Sequence, residues 1–260
     1  MTGAAVGQTQ IEIDGSGSAI VFVHGLGGDS NSFQMLLDAL SGFRCIRLDL
    51  PGSGRSPRPF EALSIDLFTQ SVAEVVDKVG GGAAHLVSHS MGTLVCQHVA
   101  ARFPESVKSL TLFGPIVEPS DASRQRLRDR ALAARRGGLI DIADAVALGG
   151  TSSTSRNANP LLAPFVRESH MRQDPEGFAQ TCEALAAGVA ADLRLLRRPM
   201  LIVTGDEDAV APPSAARALA DKVKGAKLKI LEHCGHWTPF ERPQDCARLL
   251  SEHVRAHEMA

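Results

Sequence analysis

The chain has 260 residues and is 44% hydrophobic, enough for one large domain or a core with a small insertion. Its 27 basic and 29 acidic side chains nearly cancel. That balance leaves no overall field to draw nucleic acid or an anionic membrane, and it points to a small neutral or weakly charged partner.

Met1 to Gly17 lacks both the basic stretch and the apolar run of a secretory signal. No apolar run approaches the roughly 20 residues needed to cross a bilayer. A soluble, cytoplasmic protein is expected. The five cysteines (Cys45, Cys96, Cys182, Cys234, Cys246) are scattered and form no C-x-x-C pair. Neither a disulfide framework nor a zinc site reads from them, and they fit small buried apolar residues.

Short apolar runs then alternate with helical patterns. Ala19–Val23 leads into His24-Gly25-Leu26-Gly27-Gly28, and Cys45–Leu48 into Asp49-Leu-Pro-Gly-Ser-Gly-Arg-Ser56. His85–Val87 leads into Ser88-His89-Ser90-Met91-Gly92, followed by a helix-like stretch from Thr93 to Phe103. Leu110–Phe113 ends at Gly114-Pro115, Met200–Val203 at Thr204-Gly205-Asp206, and Leu228–Leu231 runs toward His233-Cys234-Gly235-His236. Continuous apolar runs of this length suit strands buried on both faces, and alternation with helices implies right-handed crossovers. The fold class is therefore α/β, with a mainly parallel central sheet flanked by helices. Ligands of such sheets bind beyond the carboxyl ends of the strands, where each of these polar motifs falls.

Residues 116–196 carry no clear buried strand and read as a mostly helical cap inserted between core segments 1–115 and 197–260. The cap contains Arg124, Arg126, Arg128, Arg130, Arg135 and Arg136. Their i, i+2 spacing puts neighbours on different helix faces, so at most one or two can turn toward a pocket. The plain reading of the run is a solvated face.

Ser88-His89-Ser90-Met91-Gly92 lies between a strand and a helix, as a nucleophile turn requires, with small residues two before and two after the serine. Ser88 stands where glycine is usual. Ser88 as the nucleophile would place the large Leu86 at a position that needs clearance, so Ser90 is preferred. A serine hydroxyl needs a histidine to take its proton and a carboxylate to hold that histidine. His236, in the loop after a strand, is the best placed of nine histidines. Asp206, Glu207 and Asp208 all follow the Met200–Val203 run and are all open as the acid. The glycines at 25, 27 and 28 allow close backbone approach to a ligand. The N–H groups of Leu26 and Met91 are the expected donors to an oxyanion, with His24 buttressing the loop. A phosphate-binding reading of the loop fails, because the lysine of a phosphate-binding G-x-x-x-x-G-K-[ST] motif is missing.

In order, these motifs resemble the α/β-hydrolases along nearly the whole chain: His24-Gly25 after an early strand, Asp49 to Ser56, the serine turn, Gly205-x-x-Asp208-x-Val210-x-Pro212, and Gly235-His236 before an apolar loop. The resemblance implies Ser90 as nucleophile, Asp208 as acid, His236 as base, and Leu26 and Met91 as the oxyanion hole. The Ser…Asp…His order is that of the family and differs from chymotrypsin and subtilisin. Met91-Gly-Thr-Leu-Val-Cys96 and the compact helical cap are similar to 3-oxoadipate enol-lactonases and related small ester and lactone hydrolases. Haloalkane dehalogenases and epoxide hydrolases of this fold use aspartate where Ser90 stands.

The expected activity is hydrolysis of a small to medium carboxylic ester or lactone through an acyl-enzyme, with no cofactor and no metal. The alternatives are hydrolysis of a C–C bond in a ring-cleavage diketone, or a ligand sensor that keeps the hydrolase fold. Gly25 and Trp237 are expected at the substrate pocket. Packing under the last helix is the competing role for Trp237 and Phe240.

Overall fold

The computed structural model describes residues 2–258 and joins eight strands into one sheet. The outermost residues of the expected core segments, Met1, Met259 and Ala260, lie outside the described residues. The strands are β1 Thr2–Val6, β2 Thr9–Gly15, β3 Ser18–Val23, β4 Phe43–Leu48, β5 Ala84–His89, β6 Val107–Phe113, β7 Met200–Gly205 and β8 Lys227–Leu231. Their spatial order is β1-β2-β4-β3-β5-β6-β7-β8. The edge hairpin β1–β2 pairs antiparallel within itself and with β4, and every other pairing is parallel.

All six apolar runs of the sequence lie in strands, most of them extended by a few residues. The β1–β2 hairpin has no counterpart in that reading. It turns on two residues, Gly7 and Gln8, with Gly7 at φ 58°.

Side chains of the central strands alternate between two cores, as the period of a strand requires. Val21, Val23 and Leu86 face one side, packed against α1 (Ile65–Lys78), α2 (Met91–Arg102) and an eighth helix at Pro213–Lys222. Ile20, Phe22 and Val87 face the other, against the 3-10 segment Ser30–Leu40 and the last helix, Pro243–Ala256. Helix α1 forms where it does because Ile65, Phe68, Val72, Val75 and Val76 make one apolar stripe, and the Ser64 side chain caps the Leu67 N–H at 3.1 Å. Fully burying each such side chain contributes roughly 1.5–3 kcal/mol. Helix α2 is buried along most of its length, because it runs under the sheet behind the serine turn.

Between β6 and β7 the chain forms α3 (Asp121–Gly137), α4 (Ile140–Gly149), α5 (Ser153–Ala158), α6 (Leu162–Met171) and α7 (Pro175–Ala187), with no strand among them. Ser120, Ser152 and Asp174 cap α3, α5 and α7 with their side chains. The segments after β7 complete the helices as α8 (Pro213–Lys222), α9 (Thr238–Glu241) and α10 (Pro243–Ala256). No described helix is long and apolar enough to cross a membrane. Strand β3 lies between β4 and β5, so the loops leaving β3 and β5 run out side by side at the carboxyl edge of the sheet. This is where an open α/β sheet forms its binding crevice.

Candidate active site

Ser90 occupies the turn between β5 and α2 at φ 53° and ψ −123°, a conformation L-residues avoid unless held there. The holding contacts are local. Ser90 N–H donates to the Phe113 carbonyl at 2.9 Å, and the Thr93 N–H and hydroxyl donate to the Ser90 carbonyl at 2.9 and 2.6 Å. Small neighbours are required by packing. A Cβ on Gly92 would lie 2.3 Å from the Val23 carbonyl oxygen, and one on Gly25 would lie 2.8 Å from Ser90 Cβ.

His236, in the loop between β8 and α9, places Nε2 2.8 Å from Ser90 Oγ and Nδ1 2.9 Å from Asp208 Oδ2. With the carboxylate facing Nδ1, that nitrogen carries the proton and Nε2 is free to accept one from the serine. The other Asp208 oxygen accepts the Val210 and Ala211 N–H groups at 2.8 and 2.7 Å. Burial alone would raise the Asp208 pKa. The His236 charge, its hydrogen bond and the two backbone donors outweigh burial and hold the carboxyl below the usual range. Of the three neighbouring acids only Asp208 is buried and reaches the imidazole. Asp206 turns away to accept the Cys234 N–H at 3.1 Å, and Glu207 is exposed.

The loop after β3 packs against the serine. His24 accepts the Leu50 N–H at 2.9 Å through Nε2 and donates through Nδ1 to the Gly25 carbonyl at 2.8 Å, which ties the loop to the end of β4. Asp49 accepts the Ser30 N–H at 2.6 Å and the Arg55 N–H at 3.1 Å. Leu26 and Met91 both lie beside Ser90, and Met91 opens α2, whose first N–H groups have no partner within the helix. Gly25 lies against Ser90 and His89, behind the residues that border the cavity. There the absent side chain serves the close approach of the loop.

Several contributors carry no sequence signal of their own. His89 is fully buried beside His236. It donates from Nε2 to the His236 carbonyl at 2.9 Å, and its ring lies 4.8 Å from those of both His236 and Trp237. Burial and the neighbouring His236 push its pKa down to about 3, so it stays neutral. Glu241 accepts three backbone N–H groups: Gly235 at 2.8 Å and Trp237 at 3.1 Å, flanking His236, and Ser152 at 2.8 Å from the α4–α5 connection. His236 N–H itself donates to the Gly150 carbonyl at 2.8 Å. On the other side, Ser169 at the end of α6 donates to the Gly27 carbonyl at 2.7 Å. Gln173 accepts the Gly54 N–H at 3.0 Å and donates to the Gly28 carbonyl at 3.3 Å. A carboxylate five residues after His236 was visible in the sequence, but its partners on the α4–α5 connection were not.

Ser90 and His236 open onto a cavity of about 730 Å³, within the range of small-molecule sites, that reaches under α3 and α4. Trp237 forms part of its wall. It packs edge-on to His170 at 5.6 Å and to Phe240 at 5.4 Å, with both its indole and Phe240 set against Leu162 and Val166 of α6. Trp237 is thus a wall of the cavity, and Phe240 supports it under the inserted helices, not under α10.

Comparison with known proteins bears on the fold. The chain is 30% identical over 93% of its length to the dihydrolipoyllysine-residue acetyltransferase component of an acetoin cleaving system from Pseudomonas putida, and spans 64% of that protein. It is 27% identical to a 2-hydroxymuconate semialdehyde hydrolase from a Pseudomonas species, covering 97% of this chain and 92% of the relative. The crystal structure of the enol-lactonase from Burkholderia xenovorans superposes with a TM-score of 0.91 at 27% identity, covering 98% of this chain and all of that one. The model of the alpha/beta hydrolase fold matches residues 18–243, from β3 to the start of α10, and the chain belongs to that family.

Proposed function

We propose that the protein is a serine hydrolase of small to medium carboxylic esters or lactones, with Ser90, His236 and Asp208 as its catalytic triad. The observation that carries this reading is the unbroken hydrogen-bonded chain from Ser90 Oγ through His236 to Asp208 at the floor of a ligand-sized cavity. The enol-lactonase likeness supports it.

In the proposed reaction His236 Nε2 takes the Ser90 proton as Oγ adds to the carbonyl carbon. The N–H groups of Leu26 and Met91 hold the resulting oxyanion, a pair of donors of which each is worth roughly 3 kcal/mol in related sites. The C–O bond then breaks, and the leaving alkoxide takes the proton from His236; in a lactone it stays tethered to the acyl group. Water, deprotonated by His236, adds to the acyl-enzyme, and collapse returns the proton to Ser90 and releases the acid. No step calls on a metal or an organic cofactor.

The test is hydrolysis of a short-chain nitrophenyl ester by the wild type and by Ser90→Ala. Turnover in the wild type and none in a folded Ser90→Ala is expected, and equal turnover in both refutes the assignment. The relative named for 2-hydroxymuconate semialdehyde favours a second reading, C–C bond hydrolysis by the same triad. A ring-cleavage diketone offered beside a lactone separates the two.

A further inference from the structure

Two guanidinium groups border the candidate cavity. Arg126 and Arg130 stand one turn apart on α3, four residues apart and therefore on one face, and both border the cavity that holds Ser90 and His236. Neither has a carboxylate partner among the described residues. Of the other four arginines of the run, Arg124 pairs with Glu118 at 2.7 Å and Arg135 with Glu176 at 2.8 Å and Glu183 at 2.5 Å, while Arg128 and Arg136 stand on other parts of the helix surface and do not border this cavity.

Arg130 is half-buried and Arg126 is exposed, both at the edge of the cavity. The Arg130 charge adds to burial in holding down the pKa of His170, which is buried on α6. His170 in turn packs on Trp237 and lies directly over Gly27 of the loop beside Ser90. Arg126 donates to the Ser123 hydroxyl at 2.8 Å, a neutral partner that leaves its charge uncompensated.

The other titratable groups on the wall do not cancel this charge. Glu118 is already paired with Arg124 and accepts the Ala190 N–H at 3.3 Å. Burial keeps His89 and His170 neutral, with pKa values pushed down to about 3 and about 4. The cavity therefore presents net positive charge at its α3 wall. In a walled site of reduced dielectric, such a pole favours an anionic ligand over a neutral one of the same shape.

We propose that Arg126 and Arg130 form an anion-recognition pole, and that the ester or lactone cleaved at Ser90 carries a carboxylate that docks on them. This rests on the hydrolase reading and deepens it by naming the substrate class. The experiment compares charged and neutral partners of matched shape. One pair is 4-nitrophenyl hydrogen glutarate against 4-nitrophenyl 5-methylhexanoate, in which an isopropyl group replaces the carboxylate. A second pair moves the charge to the leaving group, using the butyrate ester of 3-hydroxybenzoate against 3-isopropylphenyl butyrate.

In at least one pair the anionic ester is expected to be favoured in kcat/KM by tenfold or more. That ratio is expected to shrink as salt rises toward about 1 M. It should fall toward one in Arg126→Met/Arg130→Met and be kept in part by Arg130→Lys, with circular dichroism checking that each variant folds. Ser90-dependent hydrolysis with no anionic preference in either pair overturns the proposal and leaves the hydrolase reading standing. Absence of Ser90-dependent hydrolysis is instead a failure of that reading. Calorimetry with glutarate then decides the anion site: binding lost in the double variant supports it, and no binding, or binding equal in both proteins, overturns it.

Discussion

Asp208→Asn isolates the electrostatic half of the proposed triad, because the structure dictates how the new amide must sit. Asp208 Oδ1 accepts two backbone N–H groups, from Val210 and Ala211, while Oδ2 faces His236 Nδ1. An asparagine can satisfy the two backbone donors only with its carbonyl oxygen, which turns its NH2 toward Nδ1. The imidazole must then accept at Nδ1 and carry its proton on Nε2, the nitrogen 2.8 Å from Ser90 Oγ. In that tautomer it cannot take the serine proton. The same exchange in a serine protease triad lowers kcat about 10⁴-fold, and at about 1.4 kcal/mol per decade this is a barrier increase of roughly 5.5 kcal/mol. The backbone bonds survive, so thermal stability should fall little. Asp206→Asn is the control, since its oxygen can still accept the Cys234 N–H, and less than about a threefold loss is expected. The assay is kcat for whichever nitrophenyl ester the wild type turns over, with melting temperatures alongside. A larger loss at 206 than at 208, or only a small loss at 208, would refute the tautomer reasoning.

Glu241→Gln presents an NH2 group to backbone donors that now face a carboxylate, stranding at least one N–H in the His236 loop. A penalty of about 1–3 kcal/mol per unsatisfied group predicts lower kcat and a lower melting temperature, measured by steady-state kinetics and thermal denaturation. Unchanged kcat would show that Glu241 does not position the base. His89 and His170 set an acid limit on stability. Their folded pKa values, about 3 and about 4, lie below the ordinary 6.5, so the unfolded chain binds more protons as pH falls through that window. Stability should therefore decline from about pH 6.5 downward, by up to about 1.4 kcal/mol per pH unit for each histidine. Melting temperatures across that range for the wild type and His170→Gln test it, and equal pH slopes would contradict it. Asp208 has the opposite chemistry but the same sense. Its lowered carboxyl stabilises the fold above about pH 4, and that contribution is lost only as pH drops further.

The parts legible in the sequence are those whose cause is local. Five of the six parallel-region strands are buried along nearly their whole length because both of their faces are covered; β8, at the sheet edge, exposes Lys227 and Lys229 and is marked mainly by the polar motif at its carboxyl end. The β1–β2 hairpin was not legible for the converse reason. β1 is an exposed edge of Gly, Ala and Thr, and β2 alternates Ile11 and Ile13 with polar neighbours over too short a span to stand out. Ser90 could be preferred over Ser88 by the volume of Leu86 alone. The choice among Asp206, Glu207 and Asp208 could not be made that way. The family-like spacing Gly205-x-x-Asp208-x-Val210-x-Pro212 pointed to Asp208, but the physical cause, which carboxylate the turn after β7 directs inward, is seen only in the fold. The roles of Gln173 and Ser152 depend on chain segments far away in sequence, which only the closed fold brings together.

Those long-range contacts change how the inserted helices relate to the chemistry. If they only covered the cavity, substitutions in them would alter which substrate enters and leave the reacting groups in place. Yet the α4–α5 connection holds His236 from one side, through Gly150, Ser152 and the shared Glu241 carboxylate. The end of α6 holds the loop of Leu26 from the other, through Ser169 on Gly27 and Gln173 on Gly28 and Gly54. His236 and the Leu26 loop are thus anchored to the same elements that wall the cavity, while Ser90, Met91 and Asp208 are anchored to the sheet. Displacing the inserted helices should therefore separate the two halves of the site, lowering kcat together with KM-dependent selectivity. A variant such as Gln173→Ala, remote from any bound ester, is expected to lose turnover on every substrate by a similar factor. A loss confined to one substrate would instead assign the helices to recognition alone.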